Sequence, residues 1–241
     1  MRHTPIALVV VLLAWLPIPA PENAAATDAA CRSAMAPYYA ALLASARGDG
    51  DGTLRQLLLL KSRWAEVARR SGSDAPAWLR DTAAGPPVGA AVGAKIDSAL
   101  RHLPRDIPAA HADLETIRAL LRDARTRHGA RSVDDAVTEY HEAVERLTSH
   151  IGLSNEMALT AKDFTAIGED VDAARSIWAK VESSAELTPL PGWRDAADAT
   201  TRVLGAIAEA TGRRDTAAVQ QASQILKNRY FDLLSALSRR A

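Results

Sequence analysis

The chain is short of cysteine, aromatic side chains, net charge and long apolar runs. Its 241 residues hold one cysteine, Cys31, which excludes a disulfide framework and any zinc site built from two or four cysteines. Aromatics are 5% of residues, and β-branched strand formers are sparse beside 50 alanines. That composition favours helix, because Ala has the highest helix propensity and strands draw on branched and aromatic side chains. Lys and Arg number 29 against 29 Asp and Glu. Zero net charge excludes a broadly basic nucleic-acid binder and a polybasic membrane-surface protein. No apolar run reaches the roughly 20 residues that span a bilayer.

What is present begins with an address. Arg2, the apolar run Ile6 to Leu16 and the small residues Ala24-Ala25-Ala26 read as a secretory signal peptide over 1–26. Its removal takes Arg2 and Glu22, leaving 28 positive and 28 negative side chains. Neutrality therefore belongs to the mature chain, 27–241, expected in the periplasm or secreted and without stable membrane insertion. Asp28-Ala29-Ala30-Cys31 is no lipobox, since an acid stands where a large apolar residue is needed. Cys31 is left either free or paired between molecules.

Helical periodicity runs nearly throughout. Val133, Val137, Tyr140, Val144, Leu147 and Ile151 step by three and four, which draws one apolar stripe along a helix. Ser132 stands as its N-cap, with Asp134 and Asp135 in the first turn. Leu114, Ile117, Leu121 and Ala124 form the preceding stripe, closed by His128-Gly129. Residues 109–150 thus make an αα-hairpin. Similar stripes run through Ile167 to Val181 and Val219 to Leu237, and Gly/Pro breakers separate them. The expectation is an all-α, up-and-down antiparallel bundle of αα-hairpins, with about nine helices and one subdivision near 104–108.

An internal echo links two segments. Asp49 precedes Leu60-Lys61-Ser62-Arg63-Trp64, and Asp215 precedes Leu226-Lys227-Asn228-Arg229-Tyr230, each aromatic falling 15 residues after its Asp. The echo reads either as a duplicated element or as two hairpins meeting the same local demands. The Ala-rich stretch 194–240, with its Gly212 to Asp215 turn and Tyr230, resembles the periplasmic four-helix bundles of the cytochrome c′ type. The resemblance covers about a fifth of the chain and implies architecture only. The C-x-x-C-H that attaches haem in that family is absent, and Lys227-Asn228-Arg229-Tyr230-Phe231 stands in its region.

Several residues invite chemistry. His111 and His150 lie at mirrored positions about the hairpin turn, and Glu115 follows His111 by one helical turn. Inward Glu and His of this kind build metal sites in bundles, so His111, His150 and Glu115 are the candidate metal ligands. His141-Glu142-Ala143-Val144-Glu145 approaches H-E-x-x-H, but Glu145 replaces the second histidine. Gly48 to Leu54 resembles part of a calcium loop but lacks its first and last carboxylates, so it reads as a turn in which Asp51 or Thr53 caps the next helix. Cys31 and Met35 are spaced for soft-metal ligation. Trp78 and Trp193, each near a proline, are candidate partner anchors.

No G-x-S-x-G elbow, S-x-x-K or phosphate-binding glycine loop is present. The expectation is therefore a non-catalytic binding or accessory partner in an envelope system, without a cofactor and without nucleic acid. The alternative is a periplasmic carrier of a transition metal or haem.

Overall fold

A computed structural model describes residues 22–70, 75–103, 105–152 and 159–240. The expected leader lies outside them except for its last residues. Eight α-helices and one 3₁₀ turn follow in order: α1 Glu22–Ala46, α2 Gly50–Arg70, the 3₁₀ turn Ala77–Arg80, α3 Val88–His102, α4 Ile107–Arg127, α5 Val133–Gly152, α6 Ala161–Glu182, α7 Trp193–Gly212 and α8 Thr216–Leu237. No strand occurs among the described residues. The fold class is the one expected, and the eight α-helices among the described residues are close to the expected count of about nine.

Short connections place chain neighbours side by side. The tightest pairs are α1 with α2, α3 with α4, α5 with α6, and α7 with α8. The bundle closes where α8 reaches both α1 and α5, and where α4 reaches α1. One apolar core draws residues from all eight helices and continues through Leu103 and Ala110, on either side of 104–108. The stripe from Val133 to Ile151 is buried at every step. None of the described helices is long and apolar enough to cross a membrane.

Local chemistry sets the helix ends. Gly129 takes φ +66°, the left-handed turn after α4 that a side chain disfavours. Before α2 the cap is Asp49, not Asp51 or Thr53: its Oδ1 accepts from the Gly52 N–H at 2.8 Å. A Cβ on Gly52 would lie 2.1 Å from Asp49 Oδ2, so glycine is what lets the cap close so tightly. At α8 the Asp215 carboxylate accepts from the Ala218 N–H at 3.0 Å.

Before α5 the expected Ser132 cap is replaced. The Ser132 hydroxyl accepts from Arg125 at 2.6 Å, and Asp135 reaches back to the Ser132 N–H at 2.8 Å. Asp134 and Asp135 are not solvated first-turn acids but buried ones. Asp135 pairs with Arg125 at 2.8 Å. Asp134 accepts from the Tyr39 hydroxyl at 2.8 Å and from Arg240 at 2.6 Å, which ties the C-terminal residues to α1 and α5.

Candidate functional site

α1, α4, α5 and α8 converge on a pocket of about 190 Å³. Its apolar walls include Val144, Phe231 and Leu234, and its polar end gathers His111, Glu115, His141, Glu145 and Tyr230. The helical repeat assembles this end. His111 and Glu115 are one turn apart on α4, His141 and Glu145 one turn apart on α5, so both pairs face the same gap.

Arg118 organises the floor. It is 7% exposed, pairs with Glu115 and donates to the Tyr230 hydroxyl at 2.8 Å. His141 packs against the Tyr230 ring with centroids 4.7 Å apart. Its Nε2 lies 3.1 Å from Glu145 Oε1 and 3.7 Å from Glu115 Oε2. Its Nδ1 has no hydrogen-bond partner among the described residues.

His111 is held at both ring nitrogens. The Ser45 hydroxyl lies 3.0 Å from the Leu42 carbonyl and 2.8 Å from His111 Nδ1. His111 Nε2 lies 3.3 Å from Glu115 Oε1. Burial pulls the pKa of His111 down, and the Arg118 charge adds to the effect. Burial also lowers the pKa of His141, against the opposing pull of Glu145. The Glu145 carboxyl is held below its usual range, first by its hydrogen bond with His141. Burial pushes the Tyr230 phenol up.

The remaining candidates separate. His150 faces α6, where its Nδ1 meets Asp170 Oδ2 at 2.6 Å. Mirrored numbering matches its height along the hairpin to that of His111 but says nothing of azimuth. Nine residues after His141, at about 100° per residue, it points roughly 180° away from the pocket. His141 and Glu145 instead complete the group begun by His111 and Glu115. Their own one-turn spacing is the sequence signal for them, and it needed the azimuth to be used. Glu142, next to His141, turns out to pair with Arg122.

Cys31 is a free thiol in the core, pushed up to about 12 by burial, and a protonated thiol is a poor metal ligand. Met35 is buried beside it in the core. Trp78 and Trp193 are not partner anchors: they are 6% and 3% exposed, Trp78 beneath the Arg125 guanidinium and Trp193 against Trp178. Among the described residues, no three His, Cys, Asp or Glu side chains are arranged to hold a metal ion.

Comparison with known proteins found no matching family model, no matching curated protein and no matching solved structure.

Proposed function

We propose that this chain is a non-catalytic binding protein of an export compartment, an accessory component that receives a partner group or small ligand in the pocket between α1, α4, α5 and α8. The supporting observation is the Glu115–Arg118–Tyr230 chain of contacts. It fixes Glu115 and Tyr230, whose ring packs on His141, and His111 and Glu145 gather at the same end of an apolar-walled recess. Fixed polar groups at the end of an apolar recess are how binding sites orient what they hold. At about 190 Å³ the recess suits a side chain or small molecule better than a drug-sized ligand, whose pockets run about 300–1,000 Å³. The test is recovery of bound material from an envelope extract by the wild-type chain and by Thr148→Trp, which fills the pocket wall. Recovery by wild type alone supports the proposal, and equal recovery by both overturns it.

The convergence of the two His–Glu pairs favours a second reading, a transition-metal carrier. His111 Nε2, Glu115 Oε1, His141 Nε2 and Glu145 Oε1 are the donors that would act. Their neighbouring contacts at 3.3 and 3.1 Å are close to the ~3.3 Å edge of a zinc tetrahedron with bonds of about 2.0–2.1 Å. This reading requires the side chains to close around one point, with Glu145, 65% exposed, turning inward. The nearby Arg118 charge works against a dication. Zinc titration of the wild type, of His111→Ala with His141→Ala, and of His150→Ala decides it. Binding lost in the double variant and kept in His150→Ala supports a carrier. The pocket is too small for haem on the same size argument.

A further inference from the structure

The outward side of α2 differs from the rest of the surface. Thr53, Leu57, Leu60, Trp64 and Val67 turn inward. On the other side Leu54, Leu58 and Leu59 are 41%, 54% and 45% exposed, three of the four large apolar side chains left exposed among the described residues. From Leu54 through Leu58 to Leu59 they span an arc of about 140° at 100° per residue, with Arg55 inside it.

The same helix is locally basic. It carries Arg55, Lys61, Arg63, Arg69 and Arg70 against Asp51 and Glu66. Lys61 pairs with Asp97 at 2.7 Å, and Arg69 and Arg70 share Glu66. Arg55 and Arg63 have no ion-pair partner among the described residues. Beside Leu59 the helix borders an open groove of about 600 Å³, floored by Ala26, Ala29 and Ala30 of α1 and rimmed by Arg63 and Arg70.

We infer that the outer face of α2 is a docking surface for an anionic lipid membrane. Exposed leucines with one arginine between them and another at the edge of their arc are what an interfacial helix presents: apolar side chains enter the headgroup boundary while cations pair with lipid phosphates. The unpaired arginines supply the charge complementarity. A protein partner is the weaker occupant, because the arc is convex and none of its exposed side chains is aromatic, whereas protein hot spots are rich in Trp and Tyr and poor in Leu. With no membrane-spanning helix among the described residues, attachment through this face is peripheral. Zero net charge does not oppose it, since charges act over about 8–10 Å in physiological salt and α2 is basic within that range. The inference stands apart from the pocket and does not depend on what the pocket holds.

The test is co-sedimentation of the full chain with vesicles of equal phosphatidylglycerol and phosphatidylcholine, and with pure phosphatidylcholine. Preference for the anionic vesicles is expected, with a loss of about five-fold in partitioning for each of Arg55→Gln and Arg63→Gln. Leu54→Gln with Leu58→Gln should abolish the remainder while leaving the helical circular dichroism unchanged. Because the apolar run 6–16 belongs to the same chain, the α2 variants decide the outcome. Binding that is absent, equal on both vesicles, or unchanged by the substitutions overturns the inference. So does capture of an acidic protein by this face without vesicle binding.

Discussion

The turn before α2 and the turn before α8 share their hydrogen bonds nearly atom for atom, yet the helices they launch end in different chemistry. In both, the residue before the capping Asp is left-handed, Gly48 at φ +72° and Arg214 at φ +56°. In both, the Asp amide donates five residues back, from Asp49 to Ala44 and from Asp215 to Ala210, each at 3.0 Å. Both aromatics 15 residues on are buried. Trp64 donates to the Gly89 carbonyl at 2.9 Å and closes a structural contact with α3. Tyr230 takes the Arg118 guanidinium and forms part of the pocket. The shared pattern therefore specifies how a helix begins and where its aromatic enters the core. What each aromatic does depends on the helix it meets.

The largest expected break in this comparison comes from Arg118→Met. It removes a buried cation that serves Tyr230 and Glu115, and should cost about 3 kcal/mol in urea unfolding, the low end for a buried pair because Glu115 still reaches water. Trp64→Phe, which strips the equivalent bond in the other unit, should cost only about 1 kcal/mol by the same measurement. Equal losses would mean that the Tyr230 environment holds no special electrostatic load.

Gly52→Ala should cost about 1–2 kcal/mol, because the added Cβ drives the Asp49 carboxylate from its capping position. The second unit already has Ala218 at this place, with a longer cap. Ala218→Gly should therefore not strengthen that cap enough to offset the poorer helix propensity of glycine. Thermal denaturation of the two variants checks this asymmetry.

Arg214→Gly should stabilise the chain by about 1 kcal/mol, since a non-glycine residue in the left-handed region costs about that much. Gly48→Ala should destabilise by a similar amount, which urea midpoints of the pair can compare.

The smallest effect is a pH dependence confined to the Tyr230 unit. Burial holds His111 and His141 below the ordinary value of 6.5, so the unfolded chain binds their protons more readily. Stability from these rings is complete above about pH 6.5 and is lost as pH falls through that value toward their lower folded values. Urea midpoints between pH 7.5 and 5 should decline with acidification, and His111→Asn with His141→Gln should flatten the decline. A wild-type midpoint that rises on acidification would contradict the buried, neutral state of both rings.

The helices were legible because three-and-four spacing is a one-dimensional record of which side faces the core. All six stripe positions from Val133 to Ile151 conform. The Asp-to-aromatic echo was legible as a spacing, and it proves to be a cap-to-core distance repeated in two hairpins. The site was half legible. His111 and Glu115 share a helix, whereas pairing His111 with His150 used position along the hairpin without rotation about it. Ser132 read only as an N-cap and Asp134 and Asp135 only as first-turn acids, because the Arg125, Tyr39 and Arg240 that reach them come from elsewhere in the chain.

The amino-acid sequence by itself determined an all-helical chain, most of its inward faces and its balanced charge, since propensity, periodicity and composition are local or additive. Only the tertiary structure decided which charges cancel and which stand alone. It buried Asp134 and Asp135 against arginines, drew Arg118 between Glu115 and Tyr230, and left Arg55 and Arg63 outward beside exposed leucines. The physical reason is that screened electrostatics act over about 8–10 Å. Net charge is a sum along the chain, whereas a binding surface depends on which side chains the fold brings within that distance.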